Sequence, residues 1–216
     1  MSVITMSRQV GSDAEEVAYR VAGELGLREF DKRAMTQVAS EVGISPSEIV
    51  DYPIDEYRAR NFFERLFSRQ REVAEVTTWA GRWGVRSTRV LDEAAAIGLI
   101  EATMAAAYNH GDMLIIGRGG QAILEDKPDV LHVRVVAPLE YRVERLQAER
   151  DMTAAQARRF ARERDAAAAE YLRTFHHIDW DDPTLYHLVV NVGKLGIDEA
   201  AALIVRAAKG VERAGT

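Results

Sequence analysis

Four short runs of β-favouring, mostly apolar residues, separated by stretches with helical spacing, limit what this chain can fold into more than any other feature. The runs are Ser2–Ser7 (SVITMS), Met113–Ile116 (MLII), Leu131–Ala137 (LHVRVVA) and Tyr186–Val192 (YHLVVNV). A continuous apolar run suits a strand buried on both faces, as in a parallel sheet covered by helices. Between the runs lie helical patterns. In Glu15–Leu25, Val17, Ala18, Val21, Ala22 and Leu25 share one stripe, and Gly26 closes the helix as a C-cap would. Leu91–Tyr108, Leu139–Arg150, Thr153–Phe175 and Ile197–Lys209 read as further helices. Alternation of this kind predicts a parallel, doubly wound α/β sheet. Ligands of such sheets bind beyond the carboxyl ends of the strands, which singles out residues 7–14, 30–33, 117–121 and 191–194.

The middle of the chain is less legible. Lys32–Val42 reads as a helix stopped by Gly43, and Ser45-Pro46-Ser47-Glu48 carries the cap, the first-turn proline and the later acid of another helix start. Residues 53–92 hold a charged helical stretch, Glu56–Val76, and an Arg/Trp/Gly segment around Trp79, Trp83 and Gly84. With 216 residues and no repeat or low-complexity linker, a single domain is expected. Lys plus Arg number 28 against 34 Asp plus Glu, a net charge of −6, which argues against a nucleic-acid partner. The absence of Cys excludes disulfides and Cys-based zinc sites. No stretch of about 18 apolar residues appears, so no membrane association and a cytoplasmic location are expected.

Several of the singled-out junctions carry a family pattern. Ile4-Thr5-Met6-Ser7-Arg8-Gln9-Val10-Gly11-Ser12 is one piece, and Ile116-Gly117-Arg118-Gly119 another. Ala137-Pro138-Leu139-Glu140-Tyr141-Arg142 follows, and then Trp180-Asp181-Asp182-Pro183 running into Asn191-Val192-Gly193-Lys194-Leu195-Gly196-Ile197. In these pieces and their order the chain resembles the cytidylate kinase-like family of P-loop phosphotransferases. The resemblance implies a P-loop kinase-like, five-stranded parallel sheet with helices on both faces. It also implies an inserted helical acceptor-binding lobe at about 32–110 and an Arg-bearing lid at about 151–176. The implied reaction is ATP-dependent phosphoryl transfer to a nucleoside monophosphate, cytidylate by resemblance, with ATP and Mg²⁺ as cofactors.

A P-loop reads G-x-x-x-x-G-K-[ST], in which backbone N–H groups wrap the phosphates, Lys neutralises them and the hydroxyl holds Mg²⁺. Here the diagnostic positions are Arg8, Asp13, Ala14 and Glu15, so the loop is degenerate. The family's Gly-Ser-Gly-Gly turn is Gly11-Ser12-Asp13-Ala14 in this chain. In one reading Arg8 supplies the missing cation, and Ser7, Arg8, Gln9, Gly11 and Ser12 seat the donor phosphates at a helix N-terminus. In the other, Ser12-Asp13-Ala14-Glu15 is an S-x-x-E capping box whose donors satisfy one another. Asp13, Glu15 and Glu16 would then suit the helix dipole and repel a triphosphate.

By the same resemblance Arg118 holds the acceptor phosphate; a structural salt bridge is its plainer role. Asp31 could contact the acceptor or cap the helix that follows, and Lys32 could steer an anion or belong to a solvated first turn. Arg158, Arg162 and Asp165 share a helical face and would form the lid, although Ala168 stands where the resembling kinases carry another Arg; a salt-bridged solvent face is the alternative. The catalytic set is therefore Arg8, Arg118, Arg158 and Arg162, the substrate-binding set Asp31, Lys32, Arg118 and Asp165, with no protein metal ligands assigned. His176-His177 with Asp179, Asp181 and Asp182 fits no standard zinc spacing and reads as a turn with capping carboxylates. Trp79 and Trp83 fit core packing or, as an aromatic stripe, a homodimer contact. Besides the kinase reading, two others stay open: a catalytically silent relative that binds a nucleotide or a protein partner, and a kinase for another small phosphate acceptor.

Overall fold

The computed structural model describes residues 3–30, 75–80, 85–90 and 93–214. Contacts divide the chain into two compact units, residues 1–30 with 108–216, and residues 31–107. The first unit is built on five strands: β1 (Val3–Arg8), β2 (Arg28–Glu29), β5 (Met113–Ile116), β6 (Val130–Val136) and β7 (Leu188–Asn191). They pair in the order β2-β5-β1-β6-β7, every pair parallel. The four apolar runs are thus four of these strands. The chain leaves central β1 toward β2 and β5 on one side and later returns as β6 on the other, so the switch point of the topology lies at the carboxyl end of β1.

The two faces of the sheet differ chemically because side chains alternate along a strand. Ile4, Met6, Leu114, Leu131, Val133 and Val135 point to one face and form one core with the inner stripes of two helices. These are α1 (Ala14–Leu25), through Val17, Ala18 and Val21, and α7 (Ile197–Ala214), through Ala200, Ile204 and Val205. Each large side chain so buried contributes about 1.5–3 kcal/mol. Gly26, at φ 67°, ends α1 and donates its N–H to Ala22 O, as its position in the sequence predicts. The opposite face carries buried polar groups: Thr5 and Ser7 of β1 sit beside His132 and Arg134 of β6.

Helices α4 (Leu139–Arg150) and α5 (Ala154–His176) pack on each other. In their contact Ala157 and Ala161 are fully buried against Val143 and Leu146. A capping box starts α5: Thr153 Oγ1 accepts from Gln156 N at 3.3 Å, and Gln156 Oε1 accepts from Thr153 N at 2.8 Å. Two further short helices are α3 (Gly120–Ile123) and α6 (Val192–Leu195). No helix among the described residues is long and apolar enough to cross a membrane.

In the second unit β3 (Glu75–Ala80) and β4 (Val85–Val90) form an antiparallel pair, with Thr77 opposite Thr88. Sequence reading extends helix to Val76 and finds no strand here. The run Val76-Thr77-Thr78-Trp79 and the residues Val85, Thr88 and Val90 carry the β-branched and aromatic types that favour a pleated ladder. Helix α2 (Glu93–His110) follows, within the predicted Leu91–Tyr108 span apart from its ends. The helices expected at Lys32–Val42, after Ser45 and over 56–74, together with Asp31, Lys32, Trp83 and Gly84, lie outside the described residues.

Candidate phosphoryl-transfer site

The turn after β1 departs from the expected capping box. Ser12 Oγ does not serve as a helix cap; it donates to Gln9 O at 2.7 Å, alongside Ser12 N at 3.3 Å. The cause lies one residue on. Asp13 adopts the left-handed conformation, φ 56° and ψ 22°, and this swings its carboxylate toward α4. There it is buried, accepting from Arg145 Nε at 2.7 Å and from the Tyr141 hydroxyl. Burial and then the bond to Asp13 push the Tyr141 phenol up, while the same carboxylate pushes the Arg145 guanidinium up.

Residue 13 is the second glycine position of the P-loop pattern, and glycine is the ordinary occupant of a left-handed backbone. Asp, with its short polar side chain, is among the few alternatives. Asp13 thus takes a backbone conformation that glycine ordinarily fills. Glu15 and Glu16 are also engaged, Glu15 with Arg8 Nε and Glu16 with Arg20 Nε at 3.0 Å. All three acids expected to face a ligand are ion-paired, and Asp13 is also turned inward.

Helix α4 holds this turn closely. Gly11 has φ 75°, and a Cβ there would stand 2.9 Å from Arg142 O and 3.0 Å from Leu146 Cγ. Gln9 ties the turn to the end of β6: its N–H donates to Val135 O at 3.1 Å, and its Oε1 accepts from Ala137 N at 3.2 Å. The expected donor-phosphate residues Ser7, Arg8, Gln9, Gly11 and Ser12 therefore lie together at the carboxyl end of the central strand.

A second turn follows β5. Gly117, Arg118 and Gly119 have φ of 73°, 61° and 76°, three left-handed residues in succession. Left-handed backbone at a non-glycine residue costs about 1–2 kcal/mol, and such strain collects at functional sites. Gly117 N donates to Met6 O at 2.8 Å, which fixes the turn to β1. A Cβ at Gly120 would meet Thr5 Cγ2 at 3.0 Å, and one at Gly119 would meet His176 Nε2 at 3.1 Å. Arg118 rests over the Phe30 ring, 5.6 Å from its centroid. The two turns adjoin: the Cβ direction of Gly117 ends 3.9 Å from Arg8 Nη1.

The lid residues expected on one face of α5 do not behave alike. Arg158 pairs with Glu140 and Asp165 Oδ2 with Arg142 Nη1 at 2.8 Å, both on α4, whereas Arg162 is exposed. Burial pushes the Asp165 carboxyl up, against the pull of Arg142.

Sequence reasoning missed a cluster on the polar face of the sheet. Arg134, 4% exposed, lies 4.4 Å from the Trp180 ring centroid and 5.6 Å from that of Tyr186. It donates to Trp180 O and pairs with Asp181. Trp180 Nε1 donates to Ser7 Oγ at 2.7 Å, and the Tyr186 hydroxyl to Trp180 O at 3.0 Å. An arginine inside a strand otherwise read as buried was the signal available. Of the His/Asp segment, Asp182 Oδ1 accepts from Thr184 N at 2.9 Å and Asp179 Oδ1 from Asp181 N at 3.0 Å, capping roles as expected. Among the described residues no group of three or more acids and histidines could hold a metal.

Comparison with known proteins bears on this arrangement. A model described as the cytidylate kinase-like family matches residues 3–194. A curated uronate isomerase of Corynebacterium glutamicum is 27% identical over 135 residues, covering 59% of this chain and 26% of that protein. The chain thus matches only about a quarter of that relative's length. Among solved structures, an uncharacterized protein from Eubacterium ventriosum superposes with TM-score 0.62 at 16% identity, over 97% of this chain and 99% of the other. Shikimate kinase from Bacteroides thetaiotaomicron gives 0.52 at 11% identity, over 96% and 98%. A gluconokinase from Sinorhizobium meliloti gives 0.51 at 11%, over 100% and 98%. The three solved structures, together with the family match, show the P-loop kinase fold.

Proposed function

Because the chain belongs to the cytidylate kinase-like family, we propose that it transfers the terminal phosphoryl group of ATP to a nucleoside monophosphate, cytidylate first among them. The observation that carries this reading is the adjacency of two arginine-bearing turns at the carboxyl ends of neighbouring strands, Arg8 Nη1 lying 3.9 Å from the Cβ direction of Gly117. The turn 9–13 and the N-terminus of α1 seat the donor phosphates. Arg8 exchanges its Glu15 partner for phosphate oxygens, which a guanidinium binds as a fork. Arg118 holds the acceptor phosphate, and Arg158 and Arg162 act from the lid helix; Asp31 and Lys32, which the sequence offers for the acceptor, lie outside the described residues. An acceptor phosphate oxygen forms the new P–O bond as the bond to the departing ADP oxygen breaks. The protein supplies position and positive charge rather than covalent chemistry.

The donor set also suits Mg²⁺. Asp13 is neutralised away from the turn, and Glu15 offers a carboxylate at the position of the usual metal-binding hydroxyl, a ligand type that Mg²⁺ accepts. When bound with the nucleotide, the ion would neutralise charge on the phosphates. A reaction drawing on ATP fits a cytoplasmic location.

A second reading, a catalytically silent nucleotide-binding or interaction module, is favoured by one observation: Ala14 stands at the lysine position while the nearby Arg8 is ion-paired to Glu15. Incubation of the purified protein with ATP, Mg²⁺ and a panel of CMP, UMP, AMP, shikimate and gluconate separates these readings. Transfer to CMP, lost in Arg8→Ala and Arg118→Ala, is the expected result. Transfer to a non-nucleotide acceptor would redirect the assignment. No transfer and no ATP-induced thermal shift would overturn it in favour of the silent module.

A further inference from the structure

Helix α4 grips the turn after β1 at two places. At the far end Tyr141 and Arg145 hold the Asp13 carboxylate. At the near end Arg142 donates from Nη1 to Val10 O at 3.3 Å, and its own carbonyl is the atom that a Cβ on Gly11 would strike. The same Nη1 meets Asp165 Oδ2 of α5 at 2.8 Å. The Arg142 side chain is 6% exposed and that of Asp165 is 20% exposed.

We infer that Arg142 and Asp165 are a positioning pair, through which the lid helix sets the shape of the turn that seats the donor phosphates. The catalytic relevance of the pair rests on reading that turn as the phosphate seat; its mechanical role does not. A carbonyl inside a tight turn needs a donor, and Arg142 supplies one to Val10. A buried guanidinium needs a fixed counter-charge, and Asp165 supplies it. Removing the carboxylate therefore frees Arg142 from its orientation and leaves Val10 O without a fixed donor. The backbone of residues 10–13, which would seat the phosphates, then loses its restraint on the α4 side. Asp165 in this account touches no nucleotide; it acts through Arg142, which acts through the backbone.

Hydrogen exchange on the full chain without ligand tests the pair directly. The variants are Asp165→Asn, which keeps the shape and removes the charge, and Arg142→Gln. The expected result is exchange about tenfold faster at residues 10–14 in each variant, no faster still in the double variant, with exchange over 197–214 unchanged. Equal acceleration in both regions, or an unaltered turn, would overturn the proposal. Should Arg142→Gln fail to fold, the milder Asp165→Asn decides the matter alone. Titration with ATP adds a second readout, expected to show about tenfold weaker binding in Asp165→Asn at a temperature where both proteins are folded. ATP binding unchanged in that variant while the turn loosens would confine the pair to a mechanical role and overturn its catalytic relevance. Absence of ATP binding in the parent would defeat the kinase reading and that relevance together, while the exchange result still decides the mechanical role.

Discussion

The two turns that meet at the carboxyl ends of β1 and β5 are built on opposite plans. The first is braced by side chains from a neighbouring helix: Tyr141 and Arg145 on Asp13, Arg142 on Val10, and Leu146 against Gly11. The second is made from backbone, three left-handed residues flanked by a glycine that lies on Thr5. A turn held by side chains can lose its signature glycine and lysine and keep its course, because the restraint comes from outside it. A turn made of backbone keeps its glycines, and under the proposed function its one long side chain, Arg118, serves the acceptor. Arg118 is therefore the residue whose loss should affect chemistry more than folding, and Gly11 the reverse.

Arg118→Ala provides the sharpest test of that division. It should lower kcat/KM for the monophosphate by about 10³-fold, about 4 kcal/mol of transition-state stabilisation, with the thermal midpoint little changed. A variant that lost stability in proportion to activity would break the contrast. Gly11→Ala should show the opposite balance. A left-handed alanine pressed against Arg142 O and Leu146 combines backbone strain with overpacking, about 3 kcal/mol together, readable by urea denaturation.

The buried polar face below the turns should give the protein an acid-sensitive stability. Burial, followed by the charge of His187, pulls the His132 imidazole down to about 4. An unfolded histidine titrates near 6.5. As pH falls between those values the unfolded state takes the proton first, so stability declines by up to about 3 kcal/mol. His132→Gln should flatten the decline when urea midpoints at pH 7, 5 and 4 are compared with the parent. The smallest effect belongs to Arg118→Gly, in which relief of the left-handed strain offsets the loss of the arginine's contacts, the Phe30 ring among them. A net change within about 1 kcal/mol in urea denaturation is expected, beside a loss of turnover.

What the sequence disclosed follows from the range of the forces involved. The strands and the stripe of α1 depend on local pattern, and Met113–Ile116 and Glu15–Leu25 coincide with β5 and with α1 to within a residue. The capping box at Ser12 is a local rule overridden by a distant one. A single left-handed residue aimed Asp13 at an arginine 132 positions later, and no local pattern encodes that. A genuine box formed instead at Thr153, whose hydroxyl and N–H both pair with Gln156 three residues on. The β3–β4 pair went unread because Glu75 and Val76 also fit the charged helical stretch that precedes them, and the Arg, Trp and Gly residues that follow show no clean alternation. Trp180, bonded to Ser7 across 173 positions, lay beyond any window. Arg134 offered a readable signal, a cation in a strand of buried type, and sequence reasoning passed over it.

That arginine also constrains the order in which the molecule can be made. Its counter-charge and both flanking rings come from Trp180, Asp181 and Tyr186. While a ribosome is still threading out the segment beyond α5, β6 holds a guanidinium that cannot yet be enclosed. The central strands can then assemble only by keeping that edge wet, so lasting cohesion on this face waits until residues 180–186 emerge and shut over the charge.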